Sequence, residues 1–123
     1  MADTFRLTLA QLNPTLGALE ANAVLAKKAW AEGKAAGADM VALPEMFITG
    51  YQTRDLVMKP AFFLDAMAAI EALARDVADG PALGIGGPWT DGDDLYNAYH
   101  ILQGGKVAAR VLKHHLPNDT VFD

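Results

Sequence analysis

Three polar residues stand where patterned segments of the chain give way to loops. Glu45 follows the short apolar run Met40 to Leu43 and Pro44, Tyr51 lies in the loop beyond it, and Lys113 comes after the last apolar stretch. A carboxylate at a strand end is a candidate general base, and a lysine beside it can hold a developing oxyanion. The same two charges also fit a solvated carboxylate behind a proline and a cation on the edge of a terminal strand, and spacing alone does not choose between these readings. Nucleophiles are scarcer: the 123 residues contain no cysteine and no serine. Covalent attack by either side chain is therefore excluded within this chain, leaving Thr, Lys, Tyr or a carboxylate.

Other polar or glycine-rich groups carry less. Gly84-x-Gly86-Gly87 resembles a phosphate cradle, but it falls inside a strand-like stretch and does not open onto a helix, as a nucleotide loop requires. Close packing of a helix, or a bend in a sheet, is the better reason for glycines there. His114 and His115 are adjacent, so on an extended chain they point to opposite sides, and only His100 accompanies them. No metal site is expected. Trp30 and the Phe62-Phe63 pair fall at helical core spacing.

The elements that must position Glu45 and Lys113 follow from periodicity. Phe5 to Leu12 alternates apolar and polar residues before Asn13-Pro14, which predicts a strand entering a turn. Leu19 to Ala36 repeats apolar residues at Leu19, Ala23, Ala26 and Trp30, an amphipathic helix with Gly37 as a left-handed stop. Met40 to Leu43 suits a buried strand closed by Pro44. A long loop runs from Glu45 to Lys59, and Pro60 opens a second helix with its stripe at Phe63, Met67, Ile70, Leu73 and Val77. Leu83 to Trp89, Leu95 to Leu102 and Lys106 to Leu112 are three strands joined by Asp91-Gly92-Asp93-Asp94 and by Gly104-Gly105, both hairpin connections. The order β, α, β, α, β, β, β predicts a mixed α/β sheet. A doubly wound receiver-type domain of this length is the rival, but it needs a helix between consecutive parallel strands, and nothing from Ala82 to Leu112 supplies one.

Composition narrows the setting. The length fits one domain, and the 52% apolar content includes 23 alanines rather than long greasy runs. No segment approaches a membrane span, and the first residues do not form a signal peptide, so no membrane partner and a cytoplasmic location are expected. A net charge of −5 offers no basic field to attract nucleic acid.

Leu43-Pro44-Glu45-Met46-Phe47-Ile48-Thr49-Gly50-Tyr51 resembles the first signature of the nitrilase, or carbon-nitrogen hydrolase, superfamily. Lys113-His114-His115-Leu116-Pro117-Asn118, with Val121-Phe122-Asp123 behind it, resembles the second. Within the superfamily, Thr49-Gly50-Tyr51, the stretch Asp55 to Phe62 and Leu95-Tyr96-Asn97-Ala98 are most similar to the glutaminase domain of glutamine-dependent NAD synthetases. Two positions depart from that pattern: Asp119-Thr120 stand where the family commonly has Tyr-Gly, and Gln52-Thr53-Arg54 where it has Pro-Pro-Glu.

The resemblance implies an α-β-β-α sandwich, of which residues 1–123 are the first part. It implies Glu45 as general base and Lys113 as the oxyanion's cation in a Glu-Lys-Cys triad, with the cysteine outside this chain and Tyr51 as a substrate contact. Glutamine is the implied substrate, and ammonia would pass to ATP-dependent amidation of deamido-NAD. No cofactor is expected in this chain; ATP and Mg belong to a separate synthetase domain. The remainder of the amidase domain, that synthetase domain and further copies of the chain are the expected partners. A stand-alone amidase or carbamoylase, and an inactive fragment or binding module, are the alternatives.

Overall fold

The computed structural model describes residues 4–10, 12, 14, 18–49 and 60–116. Among the described residues, five strands and two helices follow one another in the expected order: β1 (Leu7–Leu9), α1 (Leu19–Ala35), β2 (Met40–Ala42), α2 (Pro60–Asp76), β3 (Ala82–Thr90), β4 (Leu95–Gln103) and β5 (Lys106–Leu116). They form one sheet in the order β1-β2-β3-β4-β5. The first two pairings are parallel and the last two antiparallel, because helices span the first two connections and tight turns the others. Gly104 and Gly105 both take positive φ, at 65° and 86°, as a two-residue hairpin turn demands. This meander of β3, β4 and β5 rules out the doubly wound alternative.

Both helices lie on one face of the sheet. Val41 faces α1, where a side chain in place of Gly33 would meet it, and Val41 pairs with Leu83 on the same face. Leu83, Ile85 and Gly87 alternate along β3, and a Cβ on Gly87 would sit 2.6 Å from Ile70 of α2. The core between the layers includes Ala26, Val41, Phe47, Ile48, Ile70, Leu73, Leu83, Ile85 and Leu102. Among the described residues, the opposite face carries no helix. Leu7, Leu9 and Val111 lie on it by register with Met40, Ala42 and Tyr99, and they are 49%, 69% and 55% exposed.

The α1 stripe differs from its expected line. Asn22, Ala26, Ala29 and Gly33 are the buried positions, whereas Leu19, Ala23 and Trp30 are half-buried. Small residues let the helix axis approach the sheet, and the larger side chains move to its flanks. Trp30 there donates its indole N–H to the Pro81 carbonyl at 2.8 Å. Gly37 ends the helix at φ 83°, as expected. Of the second stripe, Phe63, Ile70 and Leu73 of α2 and Val77 just beyond it are buried as expected, whereas Met67 is half-buried. No helix among the described residues is long and apolar enough to cross a membrane.

Candidate active site

The backbone carrying Glu45 is fixed by its neighbours before its side chain does anything. The β2–β3 ladder pairs Ala42 with Gly84, and the Leu43 N–H donates to the Gly84 carbonyl at 2.8 Å. A continuing parallel ladder would next bring the Gly86 N–H to the Leu43 carbonyl. It goes instead to the Pro44 carbonyl at 3.2 Å, and the Gly86 carbonyl accepts from the Ile48 N–H at 3.1 Å. Pro44 has no N–H to extend the strand, so the chain turns over Gly86. A Cβ on Gly86 would lie 2.5 Å from Glu45 Cα and 2.6 Å from its carbonyl carbon. This close approach of two backbones requires glycine.

The turn itself is strained and held from several sides. Met46 takes φ 58°, a left-handed conformation that is uncommon outside glycine and persists only where surroundings enforce it. The buried Asn22 amide of α1 donates to the Ile48 carbonyl at 3.1 Å, and the Thr49 hydroxyl donates to the Met46 carbonyl at 3.1 Å. From β4, the Tyr99 hydroxyl donates to the Leu43 carbonyl at 2.8 Å. Burial pushes the Tyr99 phenol above its usual pKa, and the nearby Glu45 charge adds to the rise.

Lys113 sits inside β5, not after it. The expected strand end at Leu112 is corrected because Leu95, Tyr96 and Asn97 pair on with Leu116, His115 and His114. Asn97 opposes His114 while Ala98 opposes Leu112, which leaves Lys113 as the extra residue of a β-bulge. Bulges re-aim side chains, and here the Lys113 ammonium contacts the Glu45 carboxylate. The two side chains are 37% and 44% exposed, so the pair is open to solvent on one side and contributes at most about 1 kcal/mol to stability. A lysine and a carboxylate held together by fixed backbones place a proton acceptor beside a positive charge, an arrangement able to serve acid–base and oxyanion chemistry.

The remaining candidates divide. Tyr51, Asp119 and Thr120 lie outside the described residues. Gly87 meets α2, as helix packing predicts, whereas Gly84 makes room for the Tyr99 ring and Gly86 for the Glu45 turn. His100 is buried, accepts at Nδ1 from Arg110 Nε–H at 3.1 Å and donates from Nε2 to the Gly87 carbonyl at 3.2 Å. Its pKa is lowered to about 4, chiefly by burial, so it is a neutral core residue. Among the described residues no group of three His, Asp or Glu side chains is placed to hold a metal ion.

The family pattern of carbon-nitrogen hydrolases matches residues 6–122. The chain belongs to the carbon-nitrogen hydrolase family. It is 68% identical over its whole length to the glutamine-dependent NAD(+) synthetase of Rhodobacter capsulatus, of which it spans 22%. Its fold superposes on a glutamine-dependent NAD(+) synthetase from Cytophaga hutchinsonii with a TM-score of 0.84 at 28% identity, covering 94% of this chain and 20% of that one. An amidase from Nesterenkonia sp. shares the fold at a TM-score of 0.75 and 22% identity, over 95% of this chain and 45% of that one. The chain thus spans about a fifth of the length of the synthetases it matches.

Three residues of this carbon-nitrogen hydrolase segment escaped sequence reasoning. Asn22 is a polar residue at a helical core position, a local conflict that could have marked it. Gly86 was visible only as one of several glycines. Tyr99 alternates in register with other strand residues, and nothing in the pattern shows that its hydroxyl ends on a carbonyl two residues before Glu45.

Proposed function

We propose that this segment supplies the general base and the oxyanion-binding cation of a glutaminase that feeds ammonia to NAD synthesis. The observation that carries the reading is the contact of Lys113 with Glu45, in a chain so similar to a glutamine-dependent NAD(+) synthetase. In this account a cysteine from the remainder of the domain gives its proton to Glu45 and attacks the glutamine amide carbon. The negative charge that grows on the amide oxygen is held by the Lys113 ammonium. Glu45 passes the proton to the amide nitrogen as the C–N bond breaks and ammonia leaves. It then takes one from the water that attacks the thioester and returns it to the cysteine sulfur as the C–S bond breaks and glutamate leaves.

Glu45 and Lys113 suit these steps because the tight turn over Gly86 and the bulge in β5 each fix one of the two groups through the backbone. Tyr51 would contact the glutamine. ATP and Mg2+ would act only in a separate synthetase domain, and the exposed apolar face at Leu7, Leu9 and Val111 would lie under the second layer of the sandwich. The whole enzyme would be cytoplasmic and assembled from several copies.

Glutamate release from glutamine by the full-length enzyme tests the reading. Lys113→Met should reduce it by at least a thousandfold while leaving the protein folded. Ammonia release without any NAD formation by the unmodified enzyme would favour a stand-alone amidase, and retention of activity by the variant would remove Lys113 from the mechanism.

A further inference from the structure

The turn that presents Glu45 leaves one buried backbone acceptor outside the ladder. Because Gly86 donates to Pro44, the Leu43 carbonyl loses the N–H that a regular parallel pairing would bring it. Buried carbonyls without partners are costly, and here the partner is a side chain from a different strand, the Tyr99 hydroxyl at 2.8 Å. Tyr99 reaches that carbonyl across β3 only because Gly84 has no side chain: a Cβ there would lie 2.6 Å from the Tyr99 hydroxyl oxygen and 2.7 Å from its ring. The phenol is thereby wedged between β3 and the start of the turn. Its strand, β4, is also the one whose register places the Lys113 bulge, opposite Asn97 and Ala98.

We propose that Tyr99 is a positioning residue for amide hydrolysis, fixing the Glu45 turn to the same strand that sets Lys113. This rests on the assignment of Glu45 as the base. One strand then references both charged groups: through backbone pairing for the lysine and through a phenol–carbonyl bond for the glutamate. Loss of the hydroxyl frees the Leu43 carbonyl and lets the strained turn at Met46 relax, so that the carboxylate drifts from its ammonium partner. Displacements of this kind, far smaller than a rotamer change, cost one to two orders of magnitude in rate.

The test is Tyr99→Phe in the full-length enzyme, with Glu45→Gln beside it. For Tyr99→Phe, glutamine-dependent kcat should fall about tenfold or more with KM for glutamine changed less than about twofold. Ammonia-supported synthesis should not change. Gly84→Ala, which pushes on the ring from β3, should give the same pattern by a different route. A merely structural role would lower the melting temperature and leave the kcat of the folded enzyme unchanged. Unchanged kcat in both variants, with Glu45→Gln inactive, would overturn the positioning role alone; an active Glu45→Gln would overturn the base assignment and this proposal with it.

Discussion

Lys113 and Glu45 meet although 68 residues separate them, and each reaches the meeting point through an irregularity in its own strand. Lys113 is the unopposed residue of a bulge in β5, and Glu45 follows a ladder broken at Pro44. The two irregularities thus converge on one half-exposed ion pair that contributes little to stability.

The 123-residue chain by itself should show no glutamine hydrolysis above background. It has no cysteine, and removing the nucleophile of a covalent mechanism costs on the order of a millionfold. An ammonia assay on the purified chain decides this; turnover that disappears on Glu45→Gln would mean another group attacks.

Gly86→Ala and Gly87→Ala should separate sharply. The first drives a methyl group into the Glu45 and Met46 backbone, which cannot yield without opening the turn, and should cost about 3 kcal/mol. The second meets side-chain atoms, Ile70 and Ile48 at 2.6 and 2.8 Å and His100 at 3.7 Å, and should cost about 1 kcal/mol. Urea unfolding midpoints compare them, and equal losses would contradict the close backbone approach.

How far the molecule could be read beforehand differs by element. The two hairpins, the Pro60 helix start and the Gly37 stop depend on local chemistry, so they stand in the structure near where periodicity placed them. Residue pairing is not local. The end of β5 was misplaced because Lys113, His114 and His115 look like a polar exit, whereas Tyr96 and Asn97 keep pairing across from the two histidines. The α1 stripe rotated because a helix packs through its smallest residues, which hydrophobicity undervalues: Ala29 and Gly33 are buried while Trp30 lies on the flank. Two family signatures singled out Glu45 and Lys113, and the structure brings these two side chains into contact. The parts that hold them, Asn22, Gly86 and Tyr99, act on backbone carbonyls or backbone space, which no side-chain pattern reports.

His100 should make stability depend on pH below neutrality. Its pKa falls from 6.5 in the open chain to about 4 in the fold, where burial opposes charge, the Gly87 carbonyl partly restores it and Arg110 disfavours it further. Between these values the unfolded chain takes up a proton that the folded one does not. The contribution is therefore complete above pH 6.5, declines by up to about 3 kcal/mol as pH falls to 4, and is flat below. Protonation would also set an N–H against the Arg110 donor. His100→Val should flatten this part of the curve, measured by urea midpoints from pH 7 to 4; an unchanged slope would show that His100 does not titrate this way.

The most direct measurement of the central claim compares two nitrogen sources in the full-length enzyme carrying Glu45→Gln. With glutamine, NAD formation should fall by at least a thousandfold, because no group remains to move protons at the thiol, the ammonia and the water. With ammonia added directly, formation should match the unmodified enzyme, because the amide chemistry is bypassed and the half-exposed ion pair is not needed for folding. Equal loss with both nitrogen sources would contradict the account: Glu45 would then serve the fold or an interface, and not the hydrolysis of an amide.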